Sequence, residues 1–331
     1  MKTSVIGGGS WGSAFALHLG KLGVRTKLWV REEAVFETLR KTRENKAFLA
    51  GHVFPDQVSF YRDLPEAVVS SDVLFIAVPS QYCRSVYTEM APYLAHGPVV
   101  VSLTKGLEPK SLKRMSQVME EAFQPFRKPA LAVLSGPSFA KELALEHPTA
   151  VVVASRDLEC ARKIQHLVSN LTLRAYASTD VTGVELCGAM KNVIAIAAGI
   201  SDALEFGLNS RAALITRGLA EMTRLGTHLG ARKETFSGLA GMGDLILTCT
   251  GELSRNHFVG YELGKGKSLR TILGRMKMVA EGVRTTLSVH NLARRESMEM
   301  PISDEVYQVL YGNRSPKRAI DNLMSRTLKT E

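Results

Sequence analysis

The sequence predicts a doubly wound α/β domain over residues 1–187, followed by an all-α domain over residues 188–331. Short β-branched runs alternate with helical patterns through the first half, a glycine-rich turn links the first strand to the first helix, and strand patterns cease after Tyr176. Alternation of this kind indicates crossover units around a mostly parallel sheet. A length of 331 residues also exceeds the size at which one core usually stops growing, which supports two domains.

In chain order, strands are expected at residues 3–6, 26–30, 73–78, 99–103, 131–134, 150–154 and 171–176, with helices such as 11–21 and 81–94 between them. In the second half Asp180 caps a helix that runs through Lys191 to about Leu204. Asn209 caps a second helix ended by Gly226, and helical patterns continue to the C-terminus. The domain boundary therefore falls inside the helix that carries Lys191.

Composition narrows the function classes. A 45% hydrophobic and 22% charged chain is an ordinary globular protein with apolar surface enough for two cores. The four cysteines, at 83, 160, 187 and 249, lack CxxC spacing and suggest neither a disulfide framework nor a metal site. Glycines break the N-terminal apolar run, which makes a poor signal peptide, and no run approaches the roughly 18–20 apolar residues of a membrane span. A cytoplasmic location is the expectation. The net charge of +10 comes from scattered basic residues without a long like-charge tract. That argues against a nucleic-acid partner and fits attraction of small anions.

The stretch VIGGGSWG places Gly7, Gly9 and Gly12 in G-x-G-x-x-G spacing between a strand and an amphipathic helix. The first glycine permits the tight turn, the second lets a pyrophosphate approach the backbone, and the third lets helix and strand pack closely. This is the dinucleotide-binding arrangement of a Rossmann-type domain. At the end of the second strand, where an acidic residue would hold the 2′-hydroxyl of NAD, the sequence KLWVREE has Arg31. An arginine there suits the extra phosphate of NADP, so NADP(H) is favoured without excluding NAD(H). Two further segments fall beyond strand ends, where ligands of such sheets bind: SLTKGLE with Lys105, and SGPSFAKE with Gly136 and Ser138.

The second half carries the acid. In GAMKNVIAIAAGI, Lys191 begins a run with no polar side chain from Val193 to Ile200, and no neighbour on its own helical face can neutralise an ammonium. Burial lowers a lysine's pKa, a property that suits a general acid or base for an alcohol–ketone pair. In FSGLAGMGDLILTCTGELSRNHF, Asp244 follows a glycine-rich turn and could hold Lys191, with Thr248 one helical turn later. Ser254, Arg255 and Asn256 read as a helix start with a guanidinium beside it, which is what a phosphate monoester requires. Val279 and Glu281, in MVAEGVRT, have no assignment from the residues alone.

Assembled, these segments closely resemble the bacterial NAD(P)-dependent glycerol-3-phosphate dehydrogenase family. The likeness covers nearly the whole chain, through GGGSWGSA, NKAFLAGHVFP, SLTKGLE, SGPSFAKELALEHPTA, VELCGAMKNVIAIAAGI, AALITRGLAEMTRLG, TFSGLAGMGDLILTC, SRN and VAEGVRT in the family's order. It implies that Ser10, Trp11 and Arg31 contact the dinucleotide, that Lys105 lies between cofactor and substrate, and that Gly136 and Ser138 line the substrate site with Ala140 against the cofactor. It further implies Lys191 as proton donor and acceptor, supported by Asn192, Asp244 and Thr248. Ser254, Arg255 and Asn256 would hold the glycerol phosphate, and Arg255, Val279 and Glu281 would also reach the cofactor. The same resemblance implies a homodimer that supplies glycerol 3-phosphate for glycerophospholipid synthesis. One departure, DALEFGLN in place of a more glycine-rich segment, could alter a loop; none removes a chemical group.

Overall fold

The computed structural model describes residues 1–94, 97–126, 128–276, 278–328 and 330. It divides into two compact units, Met1–Lys105 with Lys113–Glu185, and Gly106–Leu112 with Leu186–Glu331.

In the first unit β1 (Thr3–Ile6), β2 (Thr26–Trp29), β3 (Val58–Tyr61), β4 (Val73–Ile76), β5 (Val99–Ser102), β6 (Ala130–Ser135), β7 (Thr149–Ala154) and β8 (Leu173–Ser178) form one sheet. The strand order is β3-β2-β1-β4-β5-β6-β7-β8. All pairs are parallel except β6 with β7, where Val133 faces Ala154. The chain leaves β1 toward β2 on one side and β4 lies on the other, so the strand order reverses at the carboxyl end of β1. Ligands of open α/β sheets bind at such a switch point.

The helices of this unit are α1 (Ser10–Lys21), α2 (Glu33–Thr42), α3 (Leu64–Val68), α4 (Ser80–Met90), α5 (Met115–Phe123), α6 (Ala140–Ala144) and α7 (Leu158–Val168). They cover both faces of the sheet, so alternate residues of one strand enter different cores. Val5, Val73, Phe75 and Val101 join one cluster with Phe15 and Leu19 of α1. Ile6, Leu74, Ile76 and Val100 join another with Tyr87 of α4 and Phe123 of α5. Burial on both faces is why these strands read as continuous apolar runs. The strand β3 departs from the expected set: only Val58 of its four residues is buried, and an edge strand of this kind gives no apolar run to detect.

The helix α8 (Val181–Ala203) starts at the predicted cap, Asp180, whose Oδ1 accepts from the Gly183 N–H at 2.9 Å. By length and mean hydropathy α8 is apolar enough to cross a membrane, although polar residues interrupt it, and its most apolar stretch is entirely buried inside the protein. It is a core helix. The second unit continues with α9 (Gly207–His228), α10 (Lys233–Ser237), α11 (Asp244–Thr250), α12 (Arg255–Gly264), α13 (Leu269–Arg275), α14 (Glu281–Arg295), α15 (Pro301–Tyr311) and α16 (Pro316–Met324).

Two boundaries of α9 differ from the expected ones. The helix begins at Gly207 after a tight turn through Glu205 and Gly207 (φ 60° and 79°), so Asn209 lies inside it and is not its cap. Gly226 does not end it either. A Cβ there would fall 2.0 Å from the Phe236 ring, so this glycine makes room for a neighbour within the helix.

Candidate functional site

In the first unit the dinucleotide cradle follows from the three glycines. Gly7 turns the chain with φ +125°, and a Cβ there would meet the Ala77 carbonyl oxygen at 2.6 Å. A Cβ on Gly12 would lie 1.9 Å from the Gly7 oxygen, whereas one on Gly9 would meet nothing within 4 Å. Two of the glycines thus close the turn, and the middle one leaves its face open. Gly9 is also the N-cap of α1, and neither a capping side chain nor an acidic residue occupies the first turn, which begins with Ser10. Backbone N–H groups and the positive end of the helix dipole are then presented to an anion. Trp11 adds a buried indole N–H with no acceptor among the described residues; an indole so buried usually finds a partner. The open face at Gly9 and this donor both fit a bound dinucleotide.

The loop is held from behind by a residue that sequence reasoning missed. Asn45 is fully buried and donates from Nδ2 to the Gly8 carbonyl and to Ser13 Oγ, each at 2.8 Å, while its Oδ1 accepts from the Phe48 N–H at 3.2 Å. Its motif, NKAFLAGHVFP, is recognisable in the sequence; its partners, more than thirty residues away, are not. Arg31 stands two residues past β2, with its side chain 60% exposed, paired with Glu32 at 3.3 Å and 5.2 Å above the Tyr82 ring. Lys105, Gly136 and Ser138 come together: Lys105 Nζ donates to the Gly136 carbonyl at 2.9 Å and to Ser138 Oγ at 3.4 Å. Gly136 has φ +136°, and a Cβ there would meet Val151 Cα at 2.9 Å. Phe139, not Ser138, is the N-cap of α6, and Ala140 opens that helix against the core that contains α1.

In the second unit Lys191 has the partner its own helix could not supply. Its Nζ forms an ion pair with Asp244 Oδ1 and donates to Thr248 Oγ1 at 2.8 Å, and the two charged side chains are 7% and 1% exposed. Asp244 is aimed by a π-helical turn, Leu239–Gly243, that leads directly into α11. A Cβ on Gly241 would fall 2.1 Å from the Phe236 carbonyl oxygen, so the glycine-rich sequence is a steric requirement of this turn. Thr248, one turn on, donates to the Asp244 carbonyl at 2.5 Å. Beside the pair, burial pushes the Cys249 thiol up to about 12, with the Lys191 charge opposing. That thiol is inert at neutral pH.

Asn192 donates to the Gly188 carbonyl at 3.2 Å and accepts from Asn256 Nδ2 at 2.8 Å, while Asn256 Oδ1 accepts from the Gly282 N–H at 2.9 Å. Ser254 is the predicted N-cap of α12 and accepts from the His257 N–H at 3.2 Å. Arg255, an exposed residue, begins that helix. Burial around its guanidinium lowers its pKa, and the Glu281 carboxylate opposes that. Glu281 opens α14, and Val279 precedes it half-exposed. Among the described residues no group of three or more His, Cys, Asp or Glu side chains could hold a metal, and all four cysteines are unbridged and buried.

The described residues thus include a buried, paired ammonium, a guanidinium at a helix start and a glycine loop with an open face. Residues 2–161 match the model of the NAD-dependent glycerol-3-phosphate dehydrogenase N-terminus, and residues 180–321 that of the C-terminus. The chain is 51% identical to a glycerol-3-phosphate dehydrogenase [NAD(P)+] of Citrifermentans bemidjiense, over 100% of this chain and 98% of the relative. It is 48% identical to that of Syntrophobacter fumaroxidans, over 99% and 96%. A crystal structure of glycerol-3-phosphate dehydrogenase from Coxiella burnetii superposes with a TM-score of 0.95 at 37% identity, covering 98% of this chain and 99% of that one.

Proposed function

The chain belongs to the NAD-dependent glycerol-3-phosphate dehydrogenase family, and from that premise we propose that it interconverts dihydroxyacetone phosphate and sn-glycerol 3-phosphate with NADP(H) or NAD(H). The observation that carries the reading is the buried Lys191 ammonium, charge-balanced by Asp244 and oriented by Thr248. The dinucleotide, when bound, supplies hydride to C2 of the substrate or takes it back.

In the reducing direction negative charge develops on the C2 oxygen, and Lys191 donates a proton to it; in the oxidising direction Lys191 accepts the same proton. Asp244 keeps the buried charge neutralised as a pair, and Thr248 fixes where Nζ points. Positioned general acids of this kind contribute about 10²–10⁴-fold. Lys105, held by Gly136 and Ser138, adds positive charge near that oxygen or the phosphate, and such electrostatic stabilisation is usually the larger share. Ser254, Arg255 and Asn256 hold the phosphate at the positive end of α12, where a guanidinium and helix N–H groups act together. Asn192 sets Asn256 in place. Gly7, Gly9, Ser10, Trp11 and Gly12 take the pyrophosphate region, and Arg31 takes the 2′-phosphate of NADP(H). Ala140, Arg255, Val279 and Glu281 complete the cofactor contacts.

The reading extends to a division at residue 187 between a dinucleotide-binding and a helical catalytic domain, a cytoplasmic homodimer, and supply of glycerol 3-phosphate for glycerophospholipid synthesis. The test of the function is oxidation of NADPH and NADH followed spectrophotometrically with dihydroxyacetone phosphate and, in parallel, with ketopantoate. Turnover with the phosphorylated ketone is expected. A protein that reduces ketopantoate and leaves dihydroxyacetone phosphate untouched has another function.

A further inference from the structure

Outside the residues given a role in the reaction, one carboxylate of the second unit gathers donors from two other helices. Arg211 of α9 donates from Nε to Asp202 Oδ1 at 2.9 Å and approaches it with a terminal nitrogen at 2.8 Å. His257 of α12 donates from Nε2 to Asp202 Oδ2 at 2.6 Å. A carboxylate can only accept, so this ring nitrogen carries the proton. Asp202 sits in the last turn of α8, where a negative charge opposes the helix dipole. A residue placed against such a local preference, and satisfied by donors from elsewhere, marks a constraint beyond helix stability.

What is constrained is α12. A Cβ on Gly199 would fall 2.0 Å from the His257 carbonyl oxygen, one on Gly260 2.0 Å from that of Ile196, and one on Gly264 2.5 Å from Ala203 Cβ. The backbones of α8 and α12 therefore touch along residues 196–203 and 257–264. At the start of α12, Ser254 is tied to the His257 N–H, Asn256 to Asn192 and the Gly282 N–H, and His257 to Asp202. Arg255 and Phe258 are the exposed residues of that turn, and of the two Arg255 carries the charge.

We propose that the Arg211–Asp202–His257 network positions the first turn of α12, and with it the Arg255 guanidinium, for the phosphate of the substrate. The proposal rests on the reading of Ser254, Arg255 and Asn256 as the phosphate site. His257 is a positioning residue and touches no substrate. A guanidinium fork binds phosphate according to where it points, and small misplacements of binding groups are felt strongly. Loosening this turn weakens substrate binding. It leaves Lys191 on its separate partners, Asp244 and Thr248.

The test is steady-state kinetics at saturating NADPH. Asp202→Asn and His257→Phe are each expected to raise KM for dihydroxyacetone phosphate about three- to tenfold with kcat within about twofold. His257→Gln, whose amide can still donate to Asp202, is expected to bring KM back near the wild-type value. Should His257→Phe fail to fold, the isosteric Asp202→Asn reads the same split. Arg255→Ala tests the underlying reading: if it leaves KM unchanged, the phosphate site is misassigned. If Arg255→Ala raises KM while Asp202→Asn and His257→Phe leave it unchanged, or lower kcat instead, the phosphate reading stands and the proposal is overturned. Failure of His257→Gln to rescue overturns it as well.

Discussion

Lys191 and Asp244 illustrate what one residue's surroundings disclose. The apolar run after Lys191 announces enclosure, and enclosure demands a counter-charge, because an unpaired buried ammonium is strongly disfavoured. The partners stand 53 and 57 residues away, so residue chemistry nominates Asp244 and Thr248, and only the fold brings them to Nζ. Arg31 is the complementary case, a charge left in solvent. Its weak pairing with Glu32 at 3.3 Å, with both side chains about half exposed, costs little to exchange for a phosphate. Arg31→Ala is expected to raise KM for NADPH about tenfold, the loss of one charge-assisted contact, and to change KM for NADH much less. Equal effects on the two cofactors, measured side by side, would remove the basis for an NADP preference.

At the scale of elements, the glycine loop divides its labour in a way that mutation separates. Gly12→Ala drives a Cβ into the Gly7 carbonyl and is expected to lower the melting temperature sharply. Gly9→Ala places its Cβ with nothing beyond its chain neighbours within 4 Å among the described residues and is expected to fold normally while losing most dinucleotide affinity, read by fluorescence titration with NADPH. Normal cofactor affinity in Gly9→Ala would contradict the cradle.

A second element-level device is Glu221 of α9, which caps α15 from outside by accepting from the Ile302 N–H at 2.6 Å, the Ser303 N–H at 3.2 Å and Ser303 Oγ at 3.1 Å. Burial raises its carboxyl from 4.5 to about 7, with those hydrogen bonds opposing. The folded state therefore binds the proton more tightly than the unfolded chain, and this group's contribution to stability falls as pH rises from about 4.5 to about 7. Glu221→Gln removes that dependence, so thermal melts should show the variant gaining on wild type between pH 5 and pH 8; a constant difference would refute the linkage. None of this capping was legible beforehand, since the cap comes from a helix about eighty residues earlier. The strand β3 and the antiparallel step from β6 to β7 escaped for a related reason: pairing partners are set by topology, and a half-exposed edge strand carries no pattern of its own. The central strands, buried on both faces, were readable to within a residue or two.

For the whole molecule, the two units carry different groups, a glycine loop on a mostly parallel sheet and a buried, paired ammonium among helices, and the family models match both. The order of the motifs along the chain was enough to name that family, because so many segments at consistent spacing constrain one another. Which groups hold the motifs in place was not readable: Asn45 behind the glycine loop and Asp202 beneath α12 act through contacts across distant sequence. The central claim is that Lys191 moves the proton. The most direct test is kcat for dihydroxyacetone phosphate reduction by wild type and Lys191→Ala, with NADPH affinity measured separately. The account predicts a loss of about 10²–10⁴-fold in kcat with cofactor affinity retained; a Lys191→Ala enzyme that keeps most of its turnover would contradict it.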